Sequence, residues 1–218
     1  MAFTMLDYDE NVRRVIPLYD EIHAQIIDLI AAYADGKPIA WLDTGAGSGT
    51  LARRGAEMLP LSRLVLCDPT ERMLDAAKEK LQGVDAEFYL TGSESLRFEA
   101  QFDVVTAIFS HHYFDRETRR LAVSNCFRAL KNGGLFVCFE NTAAFTAPGK
   151  ALLLRRMEHF GRNAGRSEEE IASHSARYGT EFFPLNIEEH LHLLRESGFT
   201  SAEMFWQSYW QCGFYAIR

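Results

Sequence analysis

The sequence predicts a single α/β domain with a doubly wound, mostly parallel sheet. One apolar run turns through alternating glycines into a helix, and further apolar runs alternate with helical segments along the chain. Such alternation indicates βαβ units, because parallel strands need a crossover connection that is usually a helix. The length of 218 residues suits one full hydrophobic core, so we expect one domain over residues 1–218.

Composition and charge narrow the functional classes. Hydrophobic residues make up 47% of the chain, which is typical of a globular protein. The net charge of −7 disfavours a broad nucleic-acid surface, because phosphate affinity comes largely from lysine and arginine. No apolar run approaches the roughly 20 residues needed to cross a bilayer, so no membrane partner is expected. The acidic N-terminus lacks a signal-peptide core, which predicts a cytoplasmic location.

The cysteines give no sign of a metal site or a disulfide framework. They lie far apart in apolar stretches, without the close pairing that zinc sites use, at Cys67, Cys126, Cys138 and Cys212. We therefore expect reduced core thiols and no bound metal.

The organising stretch of the chain is WLDTGAGSGT, over residues 41–50. An apolar strand reaches Asp43, turns through Gly45, Gly47 and Gly49, and enters a helix near Thr50. Glycine permits positive φ and close approach of a ligand to the backbone, and the helix start supplies unpaired N–H groups. This is the pattern of a nucleotide-binding corner in a Rossmann-like unit.

The spacing of the glycines helps to discriminate between ligands. A dinucleotide fingerprint needs glycine at position 50, where this chain has Thr50, and a P-loop needs a lysine that is missing between Lys37 and Lys78. What remains is Asp-x-Gly-x-Gly-x-Gly, which suits a cationic amino-acid group better than a pyrophosphate. This stretch resembles motif I of the class I S-adenosylmethionine (SAM) methyltransferases.

The resemblance implies SAM as cofactor and S-adenosylhomocysteine (SAH) as product. It implies that the glycine loop holds the amino-acid end of SAM, through Asp43, Gly45, Ala46 and Gly47. The second strand ends at Asp68, where a carboxylate accepts hydrogen bonds from ribose hydroxyls. Pro69 and Met73 follow at positions expected to contact the cofactor, although a helical methionine is also a common core residue.

Three further parts of the chain are expected to complete the cofactor site. After the third strand, Ser93 and Glu94 match the positions that hold the adenine amino group in the family, although the usual aspartate-alanine pair is absent and either residue also suits a short-helix cap. Phe109 ends the fourth strand and faces the methyl group in the resembled motif IV. Tyr19 belongs to an N-terminal helical stretch over residues 5–34, part of a cover over residues 1–36 that closes over the cofactor in many family members.

The catalytic candidates are His111 and His112, directly after the fourth strand. Catalytic groups gather at strand carboxyl ends, and a general base is needed only if the acceptor must lose a proton. Adjacent histidines also invite a metal-site interpretation, but no carboxylate or cysteine follows at ligand spacing. Hydrogen-bonded loop histidines are the remaining interpretation.

Lys131-Asn132-Gly133-Gly134 is predicted to form a sharp turn before the fifth strand. The segment over residues 142–185 is predicted to be a helical lid inserted after that strand. Ala147-Pro148-Gly149 and the Gly161–Gly165 stretch are interpreted as helix breaks, and Ser167 begins a capping box. The same apolar helix face suits a homodimer contact. Its arginines are by default solvated helix charges, and an anionic substrate is the alternative, with Arg177 and Tyr178 as substrate candidates.

The C-terminal segment predicts a helix that begins at a capping box at Asn186 and is followed by an antiparallel hairpin, which is how the seven-stranded methyltransferase sheet ends. The chain ends around residues 15–20 and 205–216 also look like those of the carboxy-SAM synthase of wobble-uridine modification. That family carries a Gly-Cys-Ser-type loop, whereas this chain reads Gly-Ala-Gly-Ser-Gly, so ordinary methyl transfer to a small molecule is preferred. A NAD-dependent oxidoreductase and a non-catalytic SAM-binding module stay open as alternatives.

Overall fold

The computed structural model describes residues 11–218. Its strands are β1 (Ile39–Thr44), β2 (Leu61–Asp68), β3 (Glu87–Leu90), β4 (Phe102–Ile108), β5 (Leu130–Asn141), β6 (Ser201–Ser208) and β7 (Gln211–Ile217). Its longer helices are α1 (Tyr19–Ala34), α2 (Thr50–Met58), α3 (Glu71–Lys80), α4 (Arg116–Ala129), α5 (Ala147–Asn163), α6 (Glu168–Ala176) and α7 (Ile187–Glu196). Residues 11–15 are also helical, and short 3₁₀ turns cover Ser93–Ser95 and His111–Tyr113.

The strands form one seven-stranded sheet in the order β3-β2-β1-β4-β5-β7-β6. Strands β1 to β5 run parallel, and β7 pairs antiparallel with both β5 and β6. This confirms the predicted Rossmann-like sheet with an antiparallel C-terminal hairpin. The strand order reverses between β1 and β4, so the loops that follow these two strands diverge and leave a crevice at their carboxyl ends.

Both faces of the sheet are covered, because successive residues of a strand point to opposite sides. Trp41 and its side of the sheet pack on α1, α2 and α3, with Ile22 and Ile26 fully buried. Leu42 faces the other side, where α4 and α7 cover the sheet. Parallel strands buried on two faces need nearly continuous apolar sequence. This explains why apolar runs in the sequence predicted β1 and β4.

Three local predictions were wrong in detail. The N-terminal helical stretch is interrupted before Tyr19, because Pro17 and a left-handed Leu18 (φ 57°) end the helix of residues 11–15; residues 5–10 lie outside the described part. Ala147-Pro148-Gly149 begins α5 rather than breaking the chain, since proline is tolerated in the first helical turn and Thr146 caps it.

The third difference concerns the predicted turn at residues 131–134. Strand β5 already begins at Leu130, which pairs with Phe102, and the pairing shifts register between Phe102 and Val104. Gly133 has a φ of 75°, and its N–H donates to the carbonyl oxygen of Arg218 over 2.9 Å. The residues that suggested a loop therefore lie inside an irregular strand.

The segment over residues 142–185 folds as α5, α6 and a loop with an isolated bridge between Tyr178 and Phe182, and α5 ends at Asn163, within the predicted break at Gly161–Gly165. Hydrogen bonds to backbone carbonyl oxygens connect the segment to the rest of the chain. Arg14 donates to the carbonyl oxygens of Ala164 and Gly165, and the N–H of Phe183 donates to the carbonyl oxygen of His112 over 2.8 Å. These contacts hold the segment against the carboxyl edge of the sheet.

Replacing Gly55 by alanine should destabilise the fold, because an added Cβ would overlap the indole ring of the fully buried Trp41. Alanine gains about 1 kcal/mol of helix propensity, whereas overpacking a core typically costs about 1–3 kcal/mol or more. Because the overlap is with a rigid, fully buried ring, we take the upper end of that cost and expect a net loss of about 2 kcal/mol in urea unfolding. The exposed Met58→Ala on the same helix is the control, expected within about 0.5 kcal/mol of wild type. A Gly55→Ala protein as stable as wild type would contradict the described packing of Trp41.

Candidate functional site

A cavity of about 480 Å³ opens at the carboxyl ends of β1, β2 and β4. It lies at the reversal of strand order, where ligands bind in open α/β sheets. The lining includes the glycine loop after β1, the end of β2, the start of α3 and the loop after β4. The N-terminal helical residues Val12 and Ile16 close one side.

The carboxylate of Asp43 lies at this cavity at the end of a buried hydrogen-bond relay. The indole N–H of Trp41 donates to the hydroxyl oxygen of Thr106 over 2.9 Å, and that hydroxyl donates to the Oδ1 of Asp43 over 2.5 Å. A hydroxyl has one proton, so accepting from Trp41 leaves that proton for Asp43. The relay therefore fixes the carboxylate in place while leaving its other oxygen for a ligand.

Burial disfavours the ionised form of the Asp43 carboxyl group. Asp43 is 2% exposed, and burial raises its pKa from 3.8 to about 7. The hydrogen bond from Thr106 opposes the shift, and the nearby charge of Asp68 adds to it. A cationic ligand would reverse the effect of burial and favour the charged carboxylate.

The glycine loop brings backbone donors close to the second carboxylate. Gly45 and Gly47 have φ values of 65° and 56°, and a Cβ at Gly45 would lie 2.5 Å from the Cβ of Ser110. The N–H of Gly47 donates to the Oδ2 of Asp68 over 2.9 Å, and the N–H of Thr70 donates to its Oδ1 over 2.9 Å. The end of β2 and the glycine loop are thus held together, with Asp68 only 6% exposed.

Most of the residues predicted to bind a cofactor line this cavity. They are Tyr19, Asp43, Gly45, Ala46, Gly47, Asp68, Pro69, Met73, Ser93 and Phe109. Glu94 does not line it, because its carboxylate lies over Gly92 and accepts from the hydroxyl of Ser95 over 3.3 Å. Phe109 adopts a φ of 53°, unusual for a side chain of its size, which redirects the chain as it leaves β4.

No pattern in the sequence indicated His23, which also lines the cavity. Its ring lies 4.3 Å from the ring of Tyr19, and burial lowers its pKa to about 3. Its Nδ1 has no hydrogen-bond partner within residues 11–218, and neither does the hydroxyl of Ser110 in the same lining. Buried polar atoms without partners provide unused hydrogen-bonding capacity at the site.

A second cavity of about 520 Å³ adjoins the first. The two share Val12, Ile16, Phe109 and Tyr113 in their linings. Arg177 lines the second cavity, whereas Tyr178 does not, because its ring stacks against Trp210 with the ammonium of Lys150 above it.

The two predicted catalytic histidines have different surroundings. The Nδ1 of His112 lies 2.9 Å from the Oε2 of Glu140, and His112 lines the second cavity. The Nε2 of His111 lies 2.9 Å from the hydroxyl oxygen of Ser93, and His111 lines neither of the two large cavities. Burial lowers the pKa of His111 to about 4.

Glu140, at the end of β5, organises both histidines and received no functional role from the sequence. It accepts from the backbone N–H groups of His111 and His112 over 3.2 and 2.9 Å. Burial would raise the pKa of Glu140, but the hydrogen bond and charge of His112, with the charges of His111 and His190, outweigh it and lower that pKa. Its position at a strand carboxyl end was the one signal available.

Within residues 11–218, no group of three or more histidine, cysteine, aspartate or glutamate side chains is placed to hold a metal ion. In the same range, no helix combines the length and the apolar character that a membrane span requires.

Comparison with known proteins supports one class of enzyme. The sequence model of the methyltransferase domain family matches residues 42–134, which contain the glycine loop, β2 and β4. The fold is shared with magnesium protoporphyrin IX methyltransferase from Synechocystis, solved with bound SAH, at a TM-score of 0.67 and 16% identity over 100% of this chain and 89% of that one. Together with the relatives described next, these findings support a class I SAM-dependent methyltransferase, an enzyme whose cofactor is SAM.

The curated relatives point to one branch of that class. The chain is similar to the carboxy-S-adenosyl-L-methionine synthase of Hydrogenovibrio crunogenus, with 24% identity over 97% of this chain and 85% of the relative. The synthase of Helicobacter hepaticus is 22% identical over 90% and 84% of the two chains. The likeness covers nearly the whole chain at low identity.

The residues of the first cavity fit SAM. A buried carboxylate suits the amino-acid ammonium group, a strand-end carboxylate suits ribose hydroxyls, and unpartnered polar atoms of His23 and Ser110 line the space between apolar walls.

The Asp43 carboxyl should make ligand-free stability depend on pH. Its pKa is higher in the fold than in the unfolded chain, so the stabilisation from its bound proton is complete below pH about 4 and is lost as the pH rises through about 7. Asp43→Asn cannot titrate at this position. The difference between the free energies of unfolding of wild type and of the variant should therefore decrease as the pH rises from about 4 to about 7. Urea unfolding at a series of pH values measures it, with the exposed Asp85→Asn as the charge-matched control. A constant difference for Asp43→Asn would contradict the described burial.

Proposed function

We propose that this protein transfers the methyl group of SAM to a small-molecule acceptor. The observation that carries the proposal is the pair of adjoining cavities that meet at Phe109 and Tyr113. One has the glycine loop and the two strand-end carboxylates, and the other has His112 and several arginines. When bound, SAM supplies an electrophilic methyl group on a sulfonium.

The chain's own residues would act mainly by positioning. Asp43 would hold the ammonium of the cofactor, Asp68 the ribose, and the backbone of Gly45, Ala46 and Gly47 would fix the amino-acid end. Alignment of the two reactants and exclusion of water supply most of what such a transfer needs. The N-terminal cover and the segment over residues 142–185 would close the two cavities from solvent.

A second candidate function is carboxy-SAM synthesis, which Arg177 in the second cavity favours. A guanidinium beside the cofactor cavity is a suitable partner for an additional carboxylate. The relatives of that name cover most of the chain but share only 22–24% of its residues in the two comparisons above. Methyl transfer stays the first proposal because the glycine loop lacks the Gly-Cys-Ser sequence.

The decisive experiment is incubation of the protein with SAM bearing an isotope-labelled methyl group and a bacterial metabolite extract. Methyl transfer produces SAH together with a labelled small molecule, both seen by mass spectrometry. Conversion of SAM to a species heavier by one carboxylate, without SAH, would establish the second candidate instead. SAM binding without either product would contradict both activities and leave a binding module.

Replacing Asp68 by alanine should weaken SAM binding about ten-fold or more in calorimetric titration. The variant loses charge-assisted hydrogen bonds to the ribose and releases the N–H groups of Gly47 and Thr70. Asp75→Ala, which removes an exposed carboxylate from α3, is the control and should bind SAM as wild type does. Equal affinities for the two variants would remove Asp68 from the site.

Gly47→Ala and Gly36→Ala form a matched pair for the glycine loop. Both positions have positive φ, 56° and 74°, and at both an added Cβ meets nothing within 4 Å. Each substitution should therefore cost a similar strain of about 1–2 kcal/mol in stability. Only Gly47 lines the first cavity, so only Gly47→Ala should weaken SAM binding, by about ten-fold, or 1.4 kcal/mol. Equal losses of affinity would indicate an indirect effect of stability.

A further inference from the structure

The second cavity has walls of aromatic rings and guanidinium groups. The structure builds it from the N-terminal helical residues, the loop after β4, and α6 with the loop that follows. Its lining includes Phe109, His112, Tyr113, Arg166, Arg177 and Phe182. At about 520 Å³ it has the size of a small-molecule site.

His112 lines the cavity, and its contacts with neighbouring residues fix the orientation of its ring. The Nδ1–H of His112 donates to Glu140, which is 1% exposed, so the neutral ring has its unprotonated nitrogen at Nε2. The ring is also held by Phe182, with centroids 5.3 Å apart, and by Phe109 at 6.3 Å. A base oriented by a buried carboxylate is the arrangement that activates hydroxyl groups.

The lining of the cavity also carries positive charge, although the whole chain carries −7. Arg14, Arg166 and Arg177 line it, and Glu170, the one carboxylate among the lining residues within 11–218, already accepts from the backbone N–H of Ser167. Arg166 donates to a backbone carbonyl oxygen and Arg177 pairs with the exposed Glu181. A guanidinium has five N–H donors, so these contacts leave donors for an anion.

The aromatic part of the lining suits a ring-containing ligand. Tyr113 packs on Phe182 with ring centroids 5.2 Å apart, and His174 lies 5.6 Å from Phe182, so these rings form one aromatic wall. The guanidinium carbon of Arg177 lies 4.3 Å from the centre of the Phe182 ring, which holds it at the aromatic wall.

We propose that the second cavity is the acceptor site, and that the acceptor is an aromatic hydroxy acid. Its carboxylate binds Arg166 and Arg177, its ring lies against the wall formed by Tyr113 and Phe182, and its hydroxyl faces the Nε2 of His112. His112 is the proton acceptor, and Glu140 is the residue that positions it. This assignment rests on the proposed methyl transfer and specifies its substrate class.

The transfer step balances without another reactant. The hydroxyl oxygen of the acceptor forms a bond to the methyl carbon, the bond from that carbon to sulfur breaks, and its electron pair stays on sulfur. The hydroxyl proton moves to the Nε2 of His112 and then to solvent. The acid and SAM thus give the methyl ether, SAH and one proton.

The binding test uses protein saturated with SAH, to which ortho-, meta- and para-hydroxybenzoate are titrated, with phenol and benzoate as partial probes. At least one hydroxybenzoate should bind more tightly than phenol and benzoate. Arg166→Gln and Arg177→Gln should each weaken its binding about ten-fold, as expected for a hydrogen bond to a charged group. Arg155→Gln, an exposed arginine of α5 outside the cavity, is the control and should bind as wild type does.

The catalytic test follows SAH production with SAM and the bound hydroxybenzoate. His112→Gln should lower kcat by about a hundred-fold or more while the dissociation constants of SAH and hydroxybenzoate stay unchanged. Glu140→Gln should lower kcat with little change in KM, a split that general loss of structure would not produce.

Three results would each overturn the assignment. The first is that SAH binds but no hydroxybenzoate binds at about 10 mM. The second is that the arginine variants bind hydroxybenzoate as tightly as wild type does. The third is that His112→Gln retains full turnover. Failure of SAH and SAM to bind at all would instead count against the proposed function, so the two failures are distinguishable.

Discussion

The buried carboxylate of Asp43 is the constraint around which the centre of this fold is built. A carboxylate at 2% exposure is costly unless it is hydrogen-bonded, and the hydroxyl of Thr106 meets that need from the neighbouring strand. Thr106 is oriented by the indole of Trp41, and Trp41 fits only because Gly55 of α2 has no side chain. A helix glycine, a core tryptophan and a strand threonine thus determine the geometry of one ligand-facing oxygen.

A second buried carboxylate, Glu140, has the same role at the other side of the crevice. It collects three hydrogen bonds from His111 and His112, and its ionised form is favoured despite complete burial. The backbone carbonyl oxygen of His112 in turn accepts from the N–H of Phe183, at the end of the inserted segment. The loop after β4 is therefore fixed by a strand end below and by the insertion above, which pre-organises His112.

Much of the fold was readable from the sequence because its strands are buried on both faces. Continuous apolar runs, glycine turns and the capping boxes at Ser167 and Asn186 gave the order of the elements, and the structure contains both capping boxes. The ends of the helices were harder to predict, because a proline such as Pro148 can begin a helix as well as end one. Local sequence does not distinguish these outcomes, which depend on whether Thr146 is free to cap.

The placement of the candidate site residues was predictable where it follows from backbone position, as for Asp43, Asp68 and the glycine loop, which line the first cavity. It was not predictable where it depends on side-chain direction. Thr106 and Trp41 read only as core residues of their strands, and nothing in the sequence distinguishes the surroundings of His111 from those of His112. The strand-end position of Glu140 was visible, but its partners lie 28 and 29 residues away and only the folded loop brings them together.

Under the proposed function, charge separation across the crevice would link the two cavities into one reaction path. The first cavity presents Asp43 and Asp68, and the second presents Arg166 and Arg177, with Glu170 as the one carboxylate among the described residues of its lining. A cationic cofactor and an anionic acceptor would each be excluded from the wrong cavity by like charge and attracted to the right one. Transfer neutralises the sulfonium, so attraction between the cofactor and the acidic cavity weakens once the product has formed. The same electrostatic arrangement that orders binding therefore also favours release.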